Sequence, residues 1–243
     1  MSGLRPEERR RIAGFRVVVY WRDSAYAPPP APRVGLLGRI VGLFGALFIG
    51  GGLAAVIIVF ITQVHAPQPS ASAAGAIAGQ VHGPWLRRSV PVSVDIPAIG
   101  VDSGLLHLGI TAAGDIQVPS LYSQSNEAAW YKYSATPGQI GVSVIEGHVD
   151  NYQGPAVFFR LGALRPGDRI EVLLADGTTA VFRVTGVRAY LKSRYPAKTI
   201  YRATDYAALR LITCGGAFDY NTGHYLSSTV VFASLVSSHP PGE

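Results

Sequence analysis

Between Ile40 and Thr62 the chain runs for 23 residues, IVGLFGALFIGGGLAAVIIVFIT, without a charged side chain. As a helix rising ~1.5 Å per residue, this stretch reaches about 34 Å. That crosses a hydrocarbon core of roughly 30 Å with modest tilt. The apolar part of a cleaved leader is shorter, ~7–15 residues, and begins nearer the N-terminus. The stretch therefore reads as a single retained membrane span. Up to residue 63 there are eight arginines against three acidic residues, and no further arginine occurs until Arg87. The positive-inside rule then places the N-terminus in the cytoplasm and everything after residue 63 outside. Beyond the span, 13 basic residues face 12 acidic ones, so the basic character belongs to the N-terminal arm and no nucleic-acid partner is expected. Gly42, Ala46, Gly50 and Ala54 recur every four residues; such a row lets two spans approach closely, although a lone glycine-rich span has the same composition.

These features divide the chain. Residues 1–33 are polar and arginine-rich and end in APPPAPR, a disordered cytoplasmic arm with some attraction to anionic headgroups. The membrane anchor occupies 34–63. Residues 64–85 are small, proline-containing and poor in bulky apolar side chains, as in a flexible extracytoplasmic linker. A globular domain follows at 86–236, with a short tail at 237–243.

Within the domain the texture is short and β-rich. PVSVDIPAIGV alternates and breaks at Pro97 and Gly100, and GVSVIEGHV ends its β-branched run at Gly147. DRIEVLLADGTTAVFRVTGVRAYL places two alternating segments around Asp176-Gly177, a strong hairpin signal. LRLITC and STVVFASL supply two more strands, while helical periodicity is weak, with 124–133 and 203–208 the best candidates. The expectation is an all-β domain of about 150 residues, closed or nearly closed into a barrel.

The only cysteine, Cys214, ends LRLITC and precedes Gly215 and Gly216. Disulfides form outside the membrane, yet no second cysteine exists in the chain. Three readings stand: a buried small hydrophobe, an intermolecular disulfide, and a nucleophile whose outer side the glycines leave open. A nucleophilic thiol needs a favoured thiolate and a proton donor for the leaving group. Of the histidines, His65 and His82 fall in the linker, His239 in the tail, and His107 between leucines. His148 follows Gly147 at the end of a strand and opens a loop; His224, ten residues past the cysteine, is the second choice. His148 and Asp150 alone are too few ligands for a closed zinc site, no G-x-S-x-G elbow is present, and no cofactor is expected.

Taken together, IPAIGVD, AAWY, TPGQIG, VIEGHVD, GPAVFFRLGALRPGD and LITCGGAFD with TGHY and VVFA resemble the sortases, most closely class F. The resemblance runs from about residue 90 to 236. It implies an eight-stranded sortase-like β-barrel with short helices, preceded by the single transmembrane helix. It also implies a cysteine transpeptidase of the cell envelope. The thiolate attacks a carbonyl in the C-terminal sorting signal of a secreted protein, and an amine of a cell-wall precursor or another protein resolves the thioacyl intermediate. By this resemblance Cys214 is the nucleophile, His148 the acid and base, and Thr213 a substrate-holding residue.

Sortases generally carry an arginine on the strand after the cysteine. Here that residue aligns with Leu226 or Ser228, and neither Lys nor Arg follows Cys214. His224 is one expected substitute on the substrate side; Arg188, Arg194 or Arg202, from the segment before the cysteine strand, is another. The alternative is a weak or inactive sortase-like domain that binds envelope peptides or partner proteins.

Overall fold

The computed structural model describes residues 65–75, 83–112, 114 and 116–241, with a short backbone ladder between Arg11–Ile12 and Phe15–Arg16. The expected anchor at 34–63 lies outside the described residues, as do the rest of the basic arm and residues 76–82 of the expected linker. Among the described residues no helix is long and apolar enough to cross a membrane.

Eight strands build the barrel: β1 (Pro91–Ile96), β2 (Val101–Leu108), β3 (Ala128–Tyr131), β4 (Gly141–Glu146), β5 (Arg169–Leu174), β6 (Thr179–Leu191), β7 (Ala207–Asp219) and β8 (His224–His239). They form a closed barrel in the order β6-β8-β7-β4-β3-β2-β1-β5, with β5 pairing back onto β6. Closure removes the exposed edges that an open sheet would have to protect. The β4–β7 and β2–β3 pairings are parallel.

Alternation fills the barrel. Along β5, Ile170, Val172 and Leu174 are buried while their neighbours are wholly or partly exposed. The Asp176-Gly177 turn forms as its chemistry predicts: Gly177 adopts φ +84°, the Asp176 carboxylate accepts from the Thr178 amide at 3.0 Å, and Thr179 pairs with Leu173. Elsewhere local preference loses. The helix expected near 124–133 is instead strand β3, whose Ala128, Ala129 and Trp130 are almost fully buried and pair in parallel with β2. Residues 203–206 are irregular and lead into β7; the one α-helix among the described residues, α1, lies earlier at Ala197–Tyr201. Tertiary burial overrides weak helical propensity at both places.

Part of the wall is covered on both faces. Val142, Val144, Ala208, Ile212, Val230 and Phe232 of β4, β7 and β8 form a second apolar cluster on the outside, roofed by tyrosines that include Tyr195 and Tyr201. The roof is the β6–β7 connection, in which Ile200 of α1 is fully buried. This double coverage explains why β7 is buried without interruption from Ala207 to Thr213.

The segment at 66–75, expected to be part of a flexible linker, lies against the barrel instead. Arg188 of β6 donates to the Ala74 and Gly75 carbonyls at 3.1 and 3.0 Å, and Ala73 is buried. Small residues permit the approach: a Cβ at Gly162 would stand 2.0 Å from the Pro67 carbonyl oxygen. Gly162→Ala is therefore expected to unseat this strap at a cost of about 1–3 kcal/mol. Faster hydrogen exchange at the Ala73 amide, which now donates to Ser70 O at 3.0 Å, is the check; unchanged protection there would show that the strap tolerates the methyl.

Candidate active site

Strand alternation sorts the residues around the cysteine. Leu209 and Leu211 of β7 enter the barrel core, whereas Ala208 and Ile212 join the outer cluster. Successive side chains on a strand face opposite ways, so Cys214 continues the outer series and Thr213 the inner one. Cys214 is half-buried and sits directly across from Ser228 of β8. β7 then bulges between Gly215 and Phe218, which ends the regular ladder at the cysteine and opens space beside it.

The neighbour on the other side is β4. Its parallel register sets Glu146 beside Ile212, and the Gly147 amide donates to the Ile212 carbonyl at 3.1 Å. Two residues beyond that last β4–β7 pair the chains reach His148 and Cys214. Gly147 is required at this point, because a Cβ would fall 2.7 Å from Val157 and 2.8 Å from Phe158. The Phe158 amide holds the His148 carbonyl at 2.9 Å, and the imidazole Nε2 meets the Pro119 carbonyl at 2.7 Å. A carbonyl can only accept, so Nε2 carries a proton and Nδ1 is the basic nitrogen of the neutral ring. At 6% exposure the ring is well fixed.

Around this pair stand groups of contrasting charge. The Lys192 ammonium, just beyond β6, donates to the Cys214 sulfur at 3.4 Å. Asp150 accepts a hydrogen bond from Tyr225 of β8 and feels the charge of His148; burial outweighs both and raises its carboxyl above the usual range. Burial pushes the Cys214 thiol up to about 11, with Lys192 pulling it down and the Asp150 and Glu146 charges adding to the rise. Burial also pushes Glu146 up to about 8. At neutral pH the site thus holds a protonated thiol and a largely neutral Glu146. The Ser228 hydroxyl and Glu146 Oε1 are buried with no hydrogen-bond partner among the described residues.

Of the residues singled out from the sequence, Cys214 lies within β7 and His148 lies two residues past the end of its neighbour β4. Thr213 is placed otherwise. It is 2% exposed, it pairs with Thr229, and its unpartnered hydroxyl belongs to the inner series. His224 pairs with Asp219 at the far end of the β7–β8 hairpin, beyond the bulge. Arg188 is engaged with the strap, and Arg194 and Arg202 are exposed. Leu226 is exposed and Ser228 buried. His107 packs edge-on against Trp130, its Nε2 2.6 Å from the Pro91 carbonyl. Lys192, Glu146 and the Asp150–Tyr225 pair escaped the sequence reading. Only the cross-strand registers bring them to the sulfur, and no local motif announces a register.

Comparison with solved structures finds the barrel similar to sortases at low identity, among them the following three. Listeria monocytogenes sortase A is 16% identical with a TM-score of 0.46, the match covering 63% of this chain and 90% of that one. Corynebacterium diphtheriae sortase A is 22% identical at 0.46, covering 65% of each. A Clostridium perfringens sortase D5 transpeptidase is 19% identical at 0.43, covering 61% and 79%. Comparison with curated proteins finds no match. A sortase-domain family model matches residues 94–236, which is more than half of the chain and includes the whole site just described. The chain belongs to the sortase family of cysteine transpeptidases.

Proposed function

We propose that this chain cleaves the C-terminal sorting signal of secreted proteins and transfers them to an amine of the cell envelope, from a domain held outside the membrane by the span at 40–62. The observation that carries the reading is the β4–β7 register, whose last pair, Glu146 with Ile212, stands two residues before His148 and Cys214. Motif order across residues 90–236 favours a class F-like member, and the charge asymmetry about the apolar stretch supports the topology.

Cys214 is the nucleophile. As its sulfur bonds to the carbonyl carbon, the thiol proton passes to Nδ1 of His148 and the carbonyl π pair moves onto oxygen. Collapse breaks the C–N bond, and the imidazolium returns the proton to the departing amine. The resulting thioester divides one difficult amide exchange into two easier steps. An incoming amine then attacks, His148 accepts its proton, and the thiol is restored.

Intact-mass spectrometry of the full chain in detergent, mixed with a panel of sorting-signal peptides, tests this. The expected result is an acyl adduct that hydroxylamine removes as the hydroxamate. Peptide binding with no adduct across the panel would instead favour a silent peptide-binding domain.

A further inference from the structure

A thiolate and the oxyanion it generates both need positive charge, and β8 has none to give: neither Lys nor Arg follows Cys214. The charge comes from the neighbouring strand. β6 pairs with β8 through Tyr190–Ser228 and Leu191–Ser227, and continuing that register sets Lys192 beside Leu226. Lys192 opens a short 3-10 turn, Lys192–Arg194, which turns the chain toward the roof of the outer cluster. From there the ammonium reaches over β8 to the Cys214 sulfur at 3.4 Å. Among the other ionisable groups acting on the thiol, Asp150 past β4 and, once it ionises, Glu146 on β4 oppose its ionisation.

We propose that Lys192 is the catalytic cation of this site, stabilising first the Cys214 thiolate and then the oxyanion of the tetrahedral adduct. The inference rests on the acyl-transfer reading above and adds the residue that makes the reading electrostatically complete. The adduct oxygen is borne by the carbon attached to Sγ, so it forms within the reach of the same ammonium. Lys192 acts through its charge and moves no proton; the proton traffic stays with His148. In this arrangement a cation at the end of β6 does what a basic residue at Leu226 or Ser228 would do from β8.

The test uses p-nitrophenyl acetate as an acyl donor that needs no knowledge of the sorting motif, with the rate seen in Cys214→Ser subtracted. Lys192→Met is expected to slow Cys214 acetylation by about 10²–10³-fold, the usual cost of one oxyanion donor. Lys192→Arg should stay within about tenfold of the parent chain, since charge and reach are kept. Adding Leu226→Arg to Lys192→Met should recover at least about tenfold, because the new cation stands at the same level of the barrel. Lys198→Met, an exposed lysine on α1, serves as the charge control and should leave the rate unchanged. Lys192 is itself only half-buried, so the fold is not at stake. Acetylation of Lys192→Met at the parent rate overturns the proposal. Should the parent chain show no Cys214-dependent acetylation, the acyl-transfer reading fails by itself, and iodoacetamide alkylation of Cys214 against pH then decides on Lys192. An upward shift of the alkylation midpoint in Lys192→Met upholds the cation; an unmoved midpoint removes it.

Discussion

Replacing His148 with alanine is expected to slow acyl transfer by about 10²–10⁴-fold, the usual worth of a positioned acid–base group. Two duties disappear at once. The leaving amine loses its proton donor, and the thiol, held near 11 by burial, loses the base that would ionise it. The ring also donates to the Pro119 carbonyl, so some structural loosening accompanies the change. Added imidazole separates the two effects: it should restore part of the turnover of His148→Ala, which loss of structure alone would not allow. Cys214→Ser carries the effect to its limit and should take up no hydroxylamine-labile acyl mass at all. Parent-like turnover in His148→Ala would remove the imidazole from the mechanism.

The second large effect is on stability. Glu146 is 2% exposed, and its Oε1 has no partner among the described residues. Its folded pKa of about 8 stands above the ordinary value of 4.5. A raised folded value means that the native state holds the proton more tightly than the unfolded chain does. No penalty exists below about pH 4.5; stability falls as the pH climbs from there and levels off above about 8, after a loss on the order of 3–5 kcal/mol. Glu146→Gln cannot ionise and should escape that loss. Urea midpoints of the two proteins are expected to differ least at or below about pH 4 and to separate by pH 8 in favour of the glutamine variant. Parallel pH dependence in both would mean that Glu146 is not the group that titrates. The same property serves the chemistry, since a protonated Glu146 places no negative charge beside a thiolate that burial already disfavours.

The barrel was legible because its strands announce themselves locally. Period-two burial along β5 and the Asp176-Gly177 turn depend on neighbours within a few residues, and so did the recognition of β4, β7 and β8. β3 was not legible: AAWY has no alternation, being buried at three successive positions, and its identity as a strand comes from pairing with β2. The strap was missed for a related reason. Its residues are small and lack an apolar stripe, and what holds 66–75 is Arg188, 113 and 114 residues away in sequence.

The site divides along the same line. The sequence by itself determined which atoms are chemically available: one thiol, a histidine placed after a strand-ending glycine, and no cation beyond the cysteine. Tertiary structure decided which of them meet. The parallel β4–β7 register pairs the strand segments that lead to His148 and Cys214, alternation turns Thr213 inward, and the β6–β8 register delivers Lys192 to the sulfur, whereas the sequence pointed to Arg188, Arg194, Arg202 and His224 as donors. The physical reason is that composition and local spacing act over a few residues. A strand register is a long-range choice, made by which side chains the whole barrel must bury, and shifting it by one residue would turn every one of these groups to the opposite face.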